Sequence, residues 1–534
     1  MLHATPAQHL HPRDPVLDAT STSFVHADEL RTAFALAMSR MYKNEVPLYG
    51  DLVRIVQDVN QAALLARNVT PDSPERLSLE RHGAIRLGLP SELRTVRRIF
   101  AVLGMYPVGY YDLSVAGLPM HATCFRPITS ESLARNPFRI FTTLLRPELV
   151  KSEDGARDLA LQLLSRRTLF TTELLELLDT AEQQQQGHLY ADQAEAFIRE
   201  ALRTFSWASG VAASTSDEYA RLRAEHPVLA DIACFRTAHI NHLTPRTLNI
   251  DAAQDAMVAE GMAVKDRIEG PPRRRCPILL RQTSFLALDE PVHFLCDPSE
   301  GGPTTGERNL VQGSHCARFG EIEERGAAVT RAGRQLYDEL LASSSAAFNT
   351  ERNGRTYDDI LERTFRDRFP DDLQELCRQQ LIFARYRCTG KQPAKMSPDF
   401  ATLFGPDPTP ADLEDVMDTY GEAVMGWAHR LVDDGVLVAE PITYEDFLPF
   451  SAAGIFQSNL QKASPTPKNT EKDGAETPRP GAAPSSPMAQ GGSQGSLEEA
   501  LGCAITDPDM LYAQAQKGSL LRCLLELGLA KAGY

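Results

Sequence analysis

Two short segments constrain this chain more than any other feature. "HGAIR" at 82–86 and "HLTPR" at 242–246 each place a histidine four residues before an arginine. Each lies near the start of a stretch that reads as strand, helix, strands, the first from about 78 and the second from about 229. On a strand, residues four apart share a face. His82 with Arg86, and His242 with Arg246, can therefore look into one cavity. Two related units of this kind predict a duplicated βαβββ module around one site.

The second segment is longer: "HINHLTPR" puts His239 and His242 three apart, on opposite faces of an extended chain. Only one of them can easily join His82, and the echo of the first segment favours His242. Two imidazoles and a carboxylate would form the facial triad that holds Fe(II) with open positions. The carboxylate candidates are Glu321 and Glu323 in "RFGEIEERG". They are two apart and share a face, so parity does not choose between them. A plainer reading stands beside this one. With 13 histidines, two such coincidences are not rare. A buried histidine is more often a hydrogen-bonded core residue than a ligand. On the residues alone, the chain reads as an α-and-β protein with a candidate metal site.

Composition narrows the partners. The 534 residues carry 55 Lys and Arg against 71 Asp and Glu, a net charge of −16. Nucleic acid and anionic membrane surfaces need basic faces, so neither is an expected partner. There is no signal-like N-terminus and no apolar run of bilayer length. Nine scattered cysteines without a CxxC pair read as reduced thiols, which fits a cytoplasmic location, with mitochondrial and peroxisomal locations left open. The oligomeric state is not legible.

Residues 1–25 read as a loose tail, and 26–461 as the main domain with helical insertions at 150–228 and 330–440. Residues 294–312 read as a surface insertion. The Pro/Ser/Gly-rich stretch 462–496 reads as a disordered linker, followed by a helical segment at 497–534. "SELRTVRRIFAVLG" predicts a helix capped by Ser91, and "LADIACFRTAHINHLTPR" a β-like segment.

Several blocks resemble a known family. "FGEIEERG" is similar to the last metal-binding strand of the vicinal oxygen chelate superfamily, and "INHLTPR" to its opening strand. More specifically, "ERHGAIRLG", "GMYPVGYYDLSVAGLPMHATCFRPI", "HINHLTPRTLNID", "ILLRQTSF", "ARFGEIEERG" and "YEDFLPFSAAGIFQSNL" together resemble the 2-oxoadipate dioxygenase/decarboxylase family. The resemblance implies an α+β fold, with duplicated βαβββ modules forming a curved mixed sheet around an Fe(II) site. It implies that His82, His242 and Glu321 are the metal ligands. Arg86 matches the residue that grips the substrate carboxylate, and Phe450 and Ser451 match residues that close over the substrate. Phe450 is larger than the residue of the family pattern. The implied reaction converts 2-oxoadipate and O2 to D-2-hydroxyglutarate and CO2, in lysine catabolism. Related metalloenzymes acting on another 2-oxo acid, and a non-catalytic acid-binding protein, remain as alternatives.

Other residues carry less weight. His121 reads as core rather than as support for the site, and Arg246 as either a pocket residue or the partner of an acid. Gln282 and Ser284 in "RQTSF" read as strand packing, with a place in the cavity as the alternative. Cys124, Cys234 and Cys316 read as small apolar residues rather than redox groups.

Overall fold

The computed structural model describes residues 24–67, 74–150, 154–207, 210–296, 310–350, 356–392, 404–405, 408–448 and 487–528. Its centre is a mixed seven-stranded sheet. Four strands come from the first unit: β1 (Arg81–Leu87), β2 (Tyr106–Asp112), β3 (Met120–Arg126) and β4 (Arg139–Leu145). Between β1 and β2 runs the helix Pro90–Val102, so this unit is βαβββ. A three-stranded side sheet joins β5 (Val211–Thr215) to the hairpin of β8 (Asp289–Leu295) and β9 (Leu310–Cys316). The second unit gives β6 (His242–Pro245), the helix Ile250–Ala259, β7 (Leu280–Ser284) and β10 (Phe319–Arg325).

The strand order β2-β3-β4-β1-β6-β10-β7 makes the duplication visible. From the central seam outward, the first unit runs β1, β4, β3, β2, with β4 parallel to β1 and the next two antiparallel. The second runs β6, β10, β7 with the same directions. Bridges Val264↔Phe285 and Glu269↔Gln282 then place an extended segment antiparallel to β7, where the first unit has β2. The units meet where β1 pairs antiparallel with β6. The hairpin of β8 and β9 is the addition, inserted between β7 and β10. It enters both ends of the stretch read as a surface insertion; residues 297–309 lie outside the described residues.

Strand parity divides the sheet into two faces. Ile85, Ile140, Leu243 and Ile322 pack on one side in a core shared with the helices Ala27–Glu45, Pro90–Val102 and Ile250–Ala259. Glycine lets this layer approach closely. A Cβ on Gly83 would stand 2.6 Å from Ile240 Cδ1 and 2.9 Å from the His242 carbonyl oxygen. One on Gly320 would stand 2.4 Å from the Phe285 ring. On the opposite parity lie His82, Ala84 and Arg86 of β1, with Arg139, Phe141 and Thr143 opposite them on β4. A second core joins β11 (Ala384–Cys388) and β12 (Leu437–Pro441) to helices including Arg331–Thr350 and Pro508–Glu526. The last helix is tied back to the main sheet by a buried chain. Tyr512 donates its hydroxyl to Asp446, which also takes Arg126 Nε at 2.7 Å and Nη2 at 3.0 Å.

Three local expectations need correction. The stretch "LADIACF" opens as a helix, Pro227–Ala233. Its short apolar run suits either conformation. Pro227 pre-sets the first helical φ, and His226 Nδ1 caps Val228 N–H at 3.1 Å. Ser91 is not a cap: the helix starts at Pro90, and the Glu92 carboxylate accepts from Gly88 N–H at 2.9 Å and Leu89 N–H at 3.2 Å. Finally, a helix spans Pro487–Leu501, inside the stretch read as a linker to residue 496. Its composition is poor for a helix, but it is docked: Leu497 and Leu501 are buried, and Tyr110 donates to the Ser493 hydroxyl at 2.6 Å. Residues 1–23 and 462–486 lie outside the described residues.

Candidate metal centre

The two central strands and their neighbour β10 each contribute one candidate ligand. The pairing sets His82 opposite Thr244 and Ala84 opposite His242, while Phe319 of β10 lies beside His242. Glu321, two residues on, then shares the face. His82, His242 and Glu321 each offer one ligand atom, and these atoms lie within 4.8 Å of one another. All three side chains are buried. His82 Nε2 stands 3.0 Å from Glu321 Oε1, and the Thr244 hydroxyl donates to the same oxygen at 3.1 Å. The His82 and His242 rings are 5.5 Å apart and nearly perpendicular.

The tie between the two glutamates is resolved by their neighbours. Glu323 sits on the far side of the His82 ring, with Oε2 3.2 Å from Nδ1. It is held by Arg139 and by Arg325, whose Nε and Nη2 approach at 2.9 and 3.1 Å. Glu321 therefore faces the two imidazoles, while Glu323 orients one of them. A carboxylate on the outer nitrogen fixes the tautomer and aim of a ligand histidine. Behind Glu323 lies a buried charged floor. Glu80 Oε1 is 3.2 Å from Arg325 Nε, and Oε2 is 3.0 Å from Arg246 Nη1. Arg246 thus partners an acid, and the arginine of the second HxxxR does not repeat the role expected of Arg86.

The electrostatics suit a cation. Burial lowers the His242 pKa well below the usual imidazole value, with His82, Arg86 and Lys265 adding to the effect, so the ring is neutral and can ligate. Burial alone would lower His82, but the charges of Glu323 and Glu321 raise it. Glu323 itself is held low, because Arg139 and His82 outweigh the burial that would raise it. Two imidazoles, one neutral, and a carboxylate within ligand reach are a donor set that fits a divalent transition metal.

Arg86 is buried on the same face of β1 as His82. Its Nη1 donates to Asp231, and in the amide orientation that satisfies both groups Asn241 accepts from it at 3.0 Å. Ser284 lies directly across from Glu321, and Gln282 across from Glu323. The Ser284 hydroxyl is buried and makes no hydrogen bond. Phe447 packs its ring 4.8 Å from His82. Phe450 and Ser451 lie outside the described residues. His121 has the opposite parity to Ala122 and Cys124 and faces away from the site. His239 is not in the cluster; it lies before β6, 3.2 Å from Asp231.

Comparison with known proteins decides the family. The 2-oxoadipate dioxygenase/decarboxylase family profile matches residues 34–459. A 2-oxoadipate dioxygenase/decarboxylase of Escherichia coli (strain K12) is 45% identical over 507 residues, covering 93% of this chain and 98% of that protein. One from Pseudomonas putida is 42% identical over 520 residues, covering 95% and 99%. The chain belongs to the 2-oxoadipate dioxygenase/decarboxylase family. Membership makes it an oxidoreductase. The crystal structure of the Pseudomonas putida hydroxyglutarate synthase in complex with 2-oxoadipate is similar at a TM-score of 0.72 and 40% identity, covering 95% of this chain and 100% of that one.

Sequence reasoning missed several residues around this candidate site: Glu80, Arg139, Asp231 and Phe447. Arg139 had a readable signal, as a lone charge entering the apolar run "RIFTTLL". Asp231 had a weaker one, an acid inside "VLADIA". Phe447 had none.

Proposed function

We propose that this enzyme converts 2-oxoadipate and O2 to D-2-hydroxyglutarate and CO2 with Fe(II) held by His82, His242 and Glu321. The observation that carries the reading is the convergence of those three buried side chains in a chain of this family. Bound there, a ferrous ion would polarise the keto group of the substrate and activate oxygen. The balance closes without another reductant. The C1–C2 bond breaks and C1 leaves as CO2. One oxygen atom enters the carboxylate formed at C2, and the other the hydroxyl on the adjacent carbon.

The chain's own residues would do the positioning. Glu323 aims the His82 ring, and Thr244 holds the Glu321 oxygen. Arg86 offers a planar guanidinium for the far carboxylate, oriented by Asp231 and Asn241. Phe447 covers His82, and its ring lies 5.1 Å from Phe141, which keeps water from that side. A role in lysine catabolism and a cytoplasmic location belong to the same proposal; nine unpaired cysteines support a reducing compartment.

The test is product analysis. Iron-loaded enzyme is given 2-oxoadipate and a panel of shorter and longer 2-oxo acids. The expected result is chiral 2-hydroxyglutarate from 2-oxoadipate at the highest kcat/KM of the panel. A better substrate elsewhere in the panel reassigns the substrate; tight acid binding without product points to a non-catalytic protein.

A further inference from the structure

A second buried cluster has a ligand set like the first. Asp231 on the helix Pro227–Ala233, His239 just before β6, and His315 on β9 each offer one ligand atom, all within 4.8 Å of one another. His315 Nε2 lies 2.9 Å and His239 Nε2 3.2 Å from the same oxygen, Asp231 Oδ1. Each of the three side chains is no more than 3% exposed. Donor atoms around an ion bound at about 2.1 Å stand roughly 3.0–3.4 Å apart in octahedral or tetrahedral sets. The two measured edges are close to that spacing.

His239 supplies the independent sign of a ligand. Neither of its ring nitrogens meets the geometry of a hydrogen bond, although Nε2 lies 3.2 Å from Asp231 Oδ1. Leaving such a group unsatisfied in the interior is unfavourable. An ion shared by His239 Nε2, His315 Nε2 and Asp231 Oδ1 would satisfy the nitrogen that faces the cluster.

The surroundings are those of ligands held from behind. The Tyr219 hydroxyl lies 2.9 Å from His315 Nδ1, the nitrogen turned away from Asp231. Arg86 takes the other oxygen of Asp231. Trp207 stacks on His315 at 5.9 Å and meets His239 edge-on at 4.6 Å, closing an aromatic wall. Such outer partners orient ligands and limit water.

We propose that Asp231, His239 and His315 bind a second divalent transition-metal ion, of the zinc or ferrous class. Two imidazoles and one carboxylate disfavour magnesium and calcium, which prefer all-oxygen sites. The site is the weaker of the two. It has one carboxylate, already paired with Arg86, whereas the first has Glu321 as ligand and Glu323 behind His82. Through Asp231, the second ion would help hold Arg86 in place beside the first.

The test does not depend on the proposed reaction, since it uses neither substrate nor oxygen. Full-length protein is stripped with chelator, titrated with zinc, and its bound metal counted per chain. Wild type is expected to take up two equivalents, one tight and one weaker. His239→Leu, which breaks no hydrogen bond, should lose the weaker one; Glu321→Ala should lose the tight one. Circular dichroism checks each fold, and His315→Ala serves if His239→Leu is unfolded. A single equivalent in wild type overturns the proposal, as does a second equivalent that survives both His239→Leu and His315→Ala.

Discussion

His82 Nδ1 lies 3.2 Å from Glu323 Oε2, on the side of the ring away from Glu321. The two glutamates of "GEIEER" therefore do different work, although the sequence alone could not separate them. Glu323→Gln should lower metal affinity about 10–100-fold while leaving the three candidate ligands intact. It also leaves Arg139 and Arg325 short of a buried charge, so stability should fall by about 3–5 kcal/mol. Metal titration and urea denaturation read the two effects separately. Unchanged affinity would show that the ring needs no such orientation.

Arg86→Lys keeps the charge but loses the planar fork. KM for 2-oxoadipate should rise about 10–100-fold, with a smaller change in kcat, if the guanidinium grips the far carboxylate. A fall in kcat with KM unchanged would instead place Arg86 in the chemical step. Steady-state kinetics on the iron-loaded variant distinguishes them.

Gly83 sits where β1 meets β6, and a methyl group there runs into Ile240 and the His242 carbonyl. Gly83→Ala should cost about 1–3 kcal/mol of stability by overpacking. It should also weaken metal binding, because the seam that aligns His82 with His242 must open. A denaturation midpoint equal to wild type would mean that the seam gives without cost.

His121 carries a pH-dependent contribution unrelated to the site. Burial, with Arg146 adding, lowers its pKa to about 4 from the usual value of 6.5. The folded state thus binds a proton less readily than the unfolded chain. The stability is present above about pH 6.5 and is lost as pH falls toward 4. Denaturation at pH 7 and pH 4.5 should show a smaller loss for His121→Gln than for wild type. Equal losses would assign the acid sensitivity to other groups.

Much of the candidate metal centre was legible because strand parity is a strong rule. His82, His242 and Glu321 stand on adjacent strands of like parity, and the repeat of strand, helix and strands gave the seam between them. Pairing, however, depends on register, which no local pattern contains. Hence Arg139, directly opposite His82, and the charged floor around Glu80 could not be read. The HxxxR echo also overreached: Arg246 follows β6 and turns to Glu80. His239, on the opposite face from His242, meets Asp231 and His315 from two distant elements, which no local pattern contains. Tertiary docking likewise made a helix of Pro487–Leu501, whose composition argued against one.

The most direct test of the central claim is oxygen consumption by anaerobically iron-loaded protein. Wild type should consume one O2 for each 2-oxoadipate, and Glu321→Ala, folded by circular dichroism, should consume none. No substrate-dependent uptake by fully loaded wild type, or undiminished uptake by Glu321→Ala, would contradict the account.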